Sequence, residues 1–269
     1  MTAPTLRCPC NRKHDVPAFV YDAPPPGETR FDLRGQQYRR RYLRCTECGH
    51  WYGDAGMDLG GLYSGAYVDS TYAAGMRKTF DRIRALPPEK SDNAGRVRRI
   101  VAFAATHFPP MMQPSLLDVG SGLAVFPAAI REAGWHVTAL DPDPRAAAHA
   151  REAAAVEAIA ADFLTIGDEK LGRYDVVTFN KVLEHLEDPV AMLQKAARHL
   201  RPGGFIYVEV PDEAAAAEGP GREEFFIEHH HVFSPASVGI LARQAGLRVL
   251  ESERLREPSS KFTLRAFLG

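Results

Sequence analysis

From residue 116 onward, short apolar runs of strand length alternate with longer stretches of helical period. The pattern predicts strands over 116–120, 136–141, 158–162, 174–180, 205–210, 247–253 and 262–268. Between them it predicts helices over 125–133, 144–155, 190–200 and 235–245. Gly134 closes the first helix, Arg201-Pro202-Gly203-Gly204 stops the third and Gly246 follows the last. Such alternation builds a parallel sheet with helices on both faces. Upstream, helical periods cover 76–86, stopped by Pro87-Pro88, and about 93–106, ended by Pro109-Pro110. The chain thus divides into an N-terminal part (1–60), a helical connector or substrate lid that would lie against the entrance of the next domain (61–112), and an α/β domain (113–269).

The first strand carries the densest signal. It runs through Leu116, Leu117, Asp118 and Val119 into Gly120-Ser121-Gly122, and an alanine-rich helix follows. Glycines in a strand-to-helix turn let a ligand lie against the backbone. Asp141 stands 21 residues past Gly120, at the end of the second strand, where a carboxylate can accept hydrogen bonds from a ribose diol. Asp118, Gly120, Gly122, Asp141, Asp162, Asn180 and Glu209 all fall at strand ends, where open α/β sheets bind ligands. Val125 stands where the dinucleotide fingerprint needs its third glycine, which argues against a nicotinamide cofactor.

All four cysteines fall within the first 48 residues, as Cys8-Pro9-Cys10 and Cys45-Thr46-Glu47-Cys48-Gly49. In a reducing compartment this clustering points to a structural zinc rather than to disulfides. The Cys-x-Cys bite is tight, so His14 or His50 is kept as a replacement ligand. The basic run 37–44 leads into the second knuckle, and Pro24-Pro25-Pro26-Gly27 makes a loop between the two. Such a run invites a nucleic-acid reading. With a formal net charge of −1 for the chain, a solvated strand face, or a lid carrying charge toward an anionic substrate, is the better one. No apolar run approaches the roughly 20 residues of a membrane helix. The N-terminus lacks a signal-peptide pattern, so the expected location is the cytosol. Tyr63, Tyr67 and Tyr72 in the connector read as packing residues.

Residues 113–269 resemble the class I S-adenosylmethionine-dependent methyltransferases. The matching pieces are Leu-Leu-Asp-Val-Gly-Ser-Gly-Leu-Ala, Ala-Leu-Asp-Pro-Asp, Ala-Asp-Phe, the stretch from Tyr174 to Pro189, and Leu-Arg-Pro-Gly-Gly, in family order and spacing. Ala124 stands where the family usually has a glycine. The cysteine-bearing start with its Leu-Tyr-x-x-x-Tyr segment is more loosely similar to sugar C-methyltransferases and relatives from polysaccharide and natural-product pathways. The resemblance implies a seven-stranded Rossmann-like sheet with helices on both faces, plus a small zinc-binding N-terminal domain. It implies that Asp118, Gly120, Ser121 and Gly122 hold the methionine part of the cofactor. Asp141, with Pro142 next to it, would take the ribose. Asp162 and Phe163 would meet the adenine, and Asn180 and Lys181 would line the edge facing the acceptor. Leu183, Glu184 and His185 would begin the acceptor wall.

Transfer to an alcohol or an activated carbon needs a base, and histidine titrates nearest neutrality. The candidates are His185 and the triplet His229, His230 and His231, which replaces the His-Glu-His segment of the sugar enzymes. Strand-like alternation would turn His229 and His231 one way and His230 the other. Residues 211–228, hinged at Gly219-Pro220-Gly221, are expected to form a lid, with Glu223 and Glu224 exposed. The leading expectation is methylation of a small polar acceptor, sugar or nucleotide-sugar, at oxygen or carbon. The alternatives are an RNA or protein methyltransferase gripping its target through the zinc ribbon, and a non-catalytic scaffold of the same fold.

Overall fold

A computed structural model describes residues 8–11, 15–57, 59 and 75–269. His14 and the tyrosines at 63, 67 and 72 lie outside these residues. The N-terminal segment forms strands β1 (Asp15–Tyr21), β2 (Arg40–Cys45) and β3 (Trp51–Ala55), an antiparallel meander. Helices α1 (Met76–Arg84) and α2 (Asp92–His107) follow, the second capped by Ser91, whose hydroxyl accepts from the Ala94 N–H.

The α/β part contains β4 (Ser115–Val119), α3 (Val125–Glu132), β5 (His136–Asp141), α4 (Pro144–His149), β6 (Glu157–Ala160), β7 (Tyr174–Asn180), α5 (Pro189–Arg198) and β8 (Leu200–Pro211). It ends in β9 (His231–Val232), α6 (Pro235–Gln244), β10 (Val249–Arg256) and β11 (Phe262–Leu268). Seven strands form one sheet in the order β10-β11-β8-β7-β4-β5-β6. The five strands from β8 to β6 are parallel, and β11 runs antiparallel to both β8 and β10. The chain leaves β4 towards β5 and β6, then crosses back to β7 and β8. The switch point therefore lies between β4 and β7, with Gly120 at one strand end and Asn180 at the other.

Alternation along the strands feeds two cores. Leu117, Val119 and Phe179 pack with Met192 and Leu193 of α5 and Val238 and Leu241 of α6. Leu116 and Phe205 face the opposite side, with Phe80 of α1, Ile100 and Phe103 of α2, and Ile130 of α3. A third core, of Tyr21, Tyr42, Trp51, Phe225, Ile227 and Val232, joins the N-terminal meander to the segment before α6.

That junction departs from three expectations. First, β9 joins the meander as a fourth strand, pairing Trp51 with Val232 and Tyr52 with His231. Second, the segment expected to be a lid is docked. Phe225 and Glu224 are buried, Glu224 pairs with Arg222 and accepts from the Phe262 N–H, and Tyr21 donates to the Pro220 carbonyl. Third, the basic run is not a solvated face throughout. Arg40 is buried against the Tyr21 ring and pairs with Glu28, and Arg41 pairs with Asp54. Acids from neighbouring loops and strands neutralise much of the charge that invited a nucleic-acid reading. Among the described residues no helix is long and apolar enough to cross a membrane.

Candidate functional site

The glycine turn after β4 is held from three sides. The Gly120 and Ser121 N–H groups donate to the Leu140 carbonyl of β5, and Ser121 Oγ donates to the Asp118 carbonyl. Gly120 has φ +74°, and a Cβ there would meet Val182 Cγ2 at 2.7 Å. Ala124, fully buried at φ 54°, keeps the left-handed conformation that explains the family preference for glycine. Asp118 is buried, and its Oδ1 accepts from Thr178 Oγ1 at 2.7 Å and Asn180 Nδ2 at 2.8 Å. Burial raises its pKa to about 6, against the pull of those hydrogen bonds. Asp141 accepts from the Gly122 N–H and the Asp143 N–H, both at 2.9 Å, so this acid fastens the turn to β5.

The other expected cofactor residues are spread more widely. Pro142 is exposed beside Asp141. Asp162 is exposed after β6, and its Oδ1 accepts from the Leu164 and Thr165 N–H groups. Phe163 turns inward to pack against Phe179 and His199. Lys181, with φ 60°, sends Nζ to Thr263 Oγ1 of β11 at 2.8 Å, and burial lowers its pKa.

Past β7 the chain makes a short turn, Leu183–His185, beside the segment 228–231. The histidines do not alternate as expected. Residues 226–230 form a bend and turn, and only His231 enters a strand, so the two-residue period fails. His229 faces His185 with ring centroids 4.9 Å apart. His231 faces the other way, with Nδ1 3.0 Å from His50 Nε2, and His50 Nδ1 lies 3.2 Å from Ser237 Oγ. His50 therefore points into the α/β part, not at the cysteines. Burial lowers the pKa of His185 and of His230 to about 4, and holds His229 well below the ordinary value. Glu184 is 1% exposed, and burial raises its pKa to about 7. The pattern missed Glu184 as a site in its own right, although its place beside His185 was the available signal.

Cys8, Cys10, Cys45 and Cys48 converge, with their sulfurs within 4.8 Å of one another. The Gly49 N–H donates to the Cys45 carbonyl and closes the knuckle. Four sulfur donors on two turns fit a closed structural zinc site.

A family model described as "Methyltransferase domain" matches residues 76–252, which run from the start of α1 into β10 and include the whole glycine turn. The chain belongs to this methyltransferase-domain family. Its residues 76–252 are an S-adenosylmethionine-dependent methyltransferase domain. It is 31% identical over 107 residues to the "Ubiquinone biosynthesis O-methyltransferase" of Xanthomonas oryzae pv. oryzae (strain PXO99A), covering 38% of this chain and 45% of that protein. The Bordetella avium (strain 197N) enzyme of the same name is 28% identical over 152 residues, 49% of this chain and 61% of that protein. The chain thus spans about half the length of these curated relatives. Among solved structures, the Burkholderia thailandensis 1,6-didemethyltoxoflavin-N1-methyltransferase superposes with a TM-score of 0.55 at 20% identity, covering 83% of this chain and 96% of that one. The glycopeptide N-methyltransferase MtfA does so with 0.52 at 16% identity, covering 66% and 90%. At such identities the likeness concerns the fold.

Proposed function

We propose that the protein transfers a methyl group from S-adenosylmethionine to a hydroxyl or activated carbon of a small polar acceptor, a sugar or nucleotide-linked sugar. One observation carries the reading. The glycine turn with Asp118 ends β4 at the switch point, and the Glu184–His185 turn follows β7 beside His229 at the same sheet edge. The methyl donor supplies an electrophilic carbon on a sulfonium, and alignment provides much of the acceleration. Asp118 and the turn amides would hold the methionine end, and Asp141 would orient the ribose. A histidine of the group 185, 229 and 230 would take the acceptor proton. His231 is better read as a strut, because its ring is buried against His50. The relatives named for O- and N-methylation support a small-molecule acceptor without choosing the atom. We propose a structural role for zinc at the four cysteines.

The test is calorimetric titration with S-adenosylhomocysteine, followed by a screen of nucleotide sugars and free sugars with isotopically labelled methyl donor. Binding near micromolar Kd and label in a sugar product are expected. No binding would remove the methyl-transfer reading, and binding with label only in RNA or protein would replace the acceptor.

A further inference from the structure

We propose that Glu184, His185 and His229 form a second metal site, for a divalent ion such as Mn, Fe, Co or Zn, at the sheet edge past β7. The proposal rests on the preceding reading only for the use made of the ion. One ligating atom from each residue lies within 4.8 Å of the others. The two segments are tied at the backbone, where the His230 N–H donates to the Glu184 carbonyl at 2.6 Å.

The histidines are oriented as metal ligands are. His185 Nδ1 lies 2.8 Å from the Glu228 carbonyl, and His229 Nδ1 lies 3.0 Å from the Glu224 carbonyl. A carbonyl only accepts, so Nδ1 carries the proton in both rings and Nε2 is the basic nitrogen. A backbone carbonyl on the far nitrogen is the usual partner that fixes the tautomer and aim of a ligating imidazole. Beside these rings lies a buried carboxylate. Among the described residues neither oxygen of Glu184 has a hydrogen-bond partner. The unpartnered Glu184 carboxylate, set beside two imidazoles whose Nε2 atoms are basic, makes a donor set that a cation fits. The neighbouring ammonium of Lys181 instead donates to Thr263 on β11.

The donor set separates this site from the cysteines. Four thiolates close a tetrahedron, whereas two histidines and one carboxylate leave positions open. His185 and His229 are only half-buried, so the site is not sealed from solvent. An ion there would lower the pKa of an acceptor hydroxyl in contact with it. His185 and His229 would then be engaged through Nε2.

Cobalt titration of the full chain tests this, after one equivalent of zinc has filled the cysteines. The wild type should bind a second metal, with ligand-field absorption but no thiolate charge-transfer band. Glu184→Gln and His229→Asn should each weaken that binding at least tenfold, keep the zinc and still bind S-adenosylhomocysteine. His230→Ala should keep the cobalt. A wild type that takes only the cysteine-bound metal, or variants that both retain cobalt, would overturn the proposal. Loss of S-adenosylhomocysteine binding by the wild type would instead strike the methyl-transfer reading and leave the cobalt count to decide the metal site.

Discussion

At the residue scale, Asp118 links the glycine turn to pH. Its folded pKa, about 6, lies above its ordinary 3.8 because burial penalises the charge. The contribution to stability is therefore present in full below 3.8 and is lost as pH rises through about 6. An ammonium group bound at this carboxylate favours the ionised form. The affinity for S-adenosylhomocysteine should thus fall about tenfold per unit as pH drops below about 6. Asp118→Asn should flatten that profile, and an unchanged wild-type Kd between pH 5 and 7 would sink the assignment. Gly120→Ala should be worse than its size suggests. It puts a Cβ into a left-handed residue and 2.7 Å from Val182 Cγ2. We expect about 1–2 kcal/mol of destabilisation by thermal melting and at least tenfold weaker S-adenosylhomocysteine binding. Both positions were readable in the sequence because they sit in one contiguous strand-to-turn motif, although the partners that constrain them, Thr178, Asn180 and Val182, lie far along the chain. The role of His50 was not, because its partner His231 stands 181 positions away.

At the element scale, α2 is fastened to the sheet by charge. Arg96 pairs with Glu209 of β8, which also accepts from Arg265 of β11 and from Tyr207 Oη. Burial alone would raise the Glu209 pKa. Arg96, Lys181 and Arg265 outweigh it and hold the carboxyl well below the ordinary 4.5. The resulting stabilisation is present above that ordinary value and lost as pH falls below it. Glu209→Gln removes the carboxylate that pairs with Arg96 and leaves the buried Arg265 with Glu257 and Glu253. It should cost about 3–5 kcal/mol in denaturant unfolding, with the variant less sensitive to acid than the wild type. A loss under 1 kcal/mol would mean that solvent reaches the network. The sequence marked Glu209 only as a strand-end acid, since its partners come from α2 and β11. Regular elements were more legible. The predicted helix over 93–106 became Asp92–His107, and the last strand matched Phe262–Leu268. Strand β8 starts earlier than expected, at Leu200, because Leu200 pairs with Tyr174 of β7 and an irregularity over 201–204 precedes the next pair, Phe205 with Val176.

At the scale of the whole molecule, the cysteine end and the histidine segment form one mechanical unit. Tyr42 Oη donates to the His229 carbonyl, the Gly53 N–H to the His230 carbonyl, and the Ile227 N–H to Glu28. Ser234, the N-cap of α6, also donates to the Cys48 carbonyl. The glycine turn is held separately, by β5 and β7. Metal at the cysteines should therefore govern the order of the acceptor side while leaving the cofactor side alone. Cys45→Ser should lower Tm and zinc content, since a structural zinc contributes folding energy. Hydrogen exchange should then speed up in residues 40–55 and 226–234. The amides of Gly120, Ser121 and Gly122 should keep their protection, and the Kd for S-adenosylhomocysteine should change less than threefold. Equal loss of protection in both regions would show instead that the cysteine end supports the whole fold. Unchanged exchange at 226–234 would mean that β9 and the third core hold the histidines without the metal.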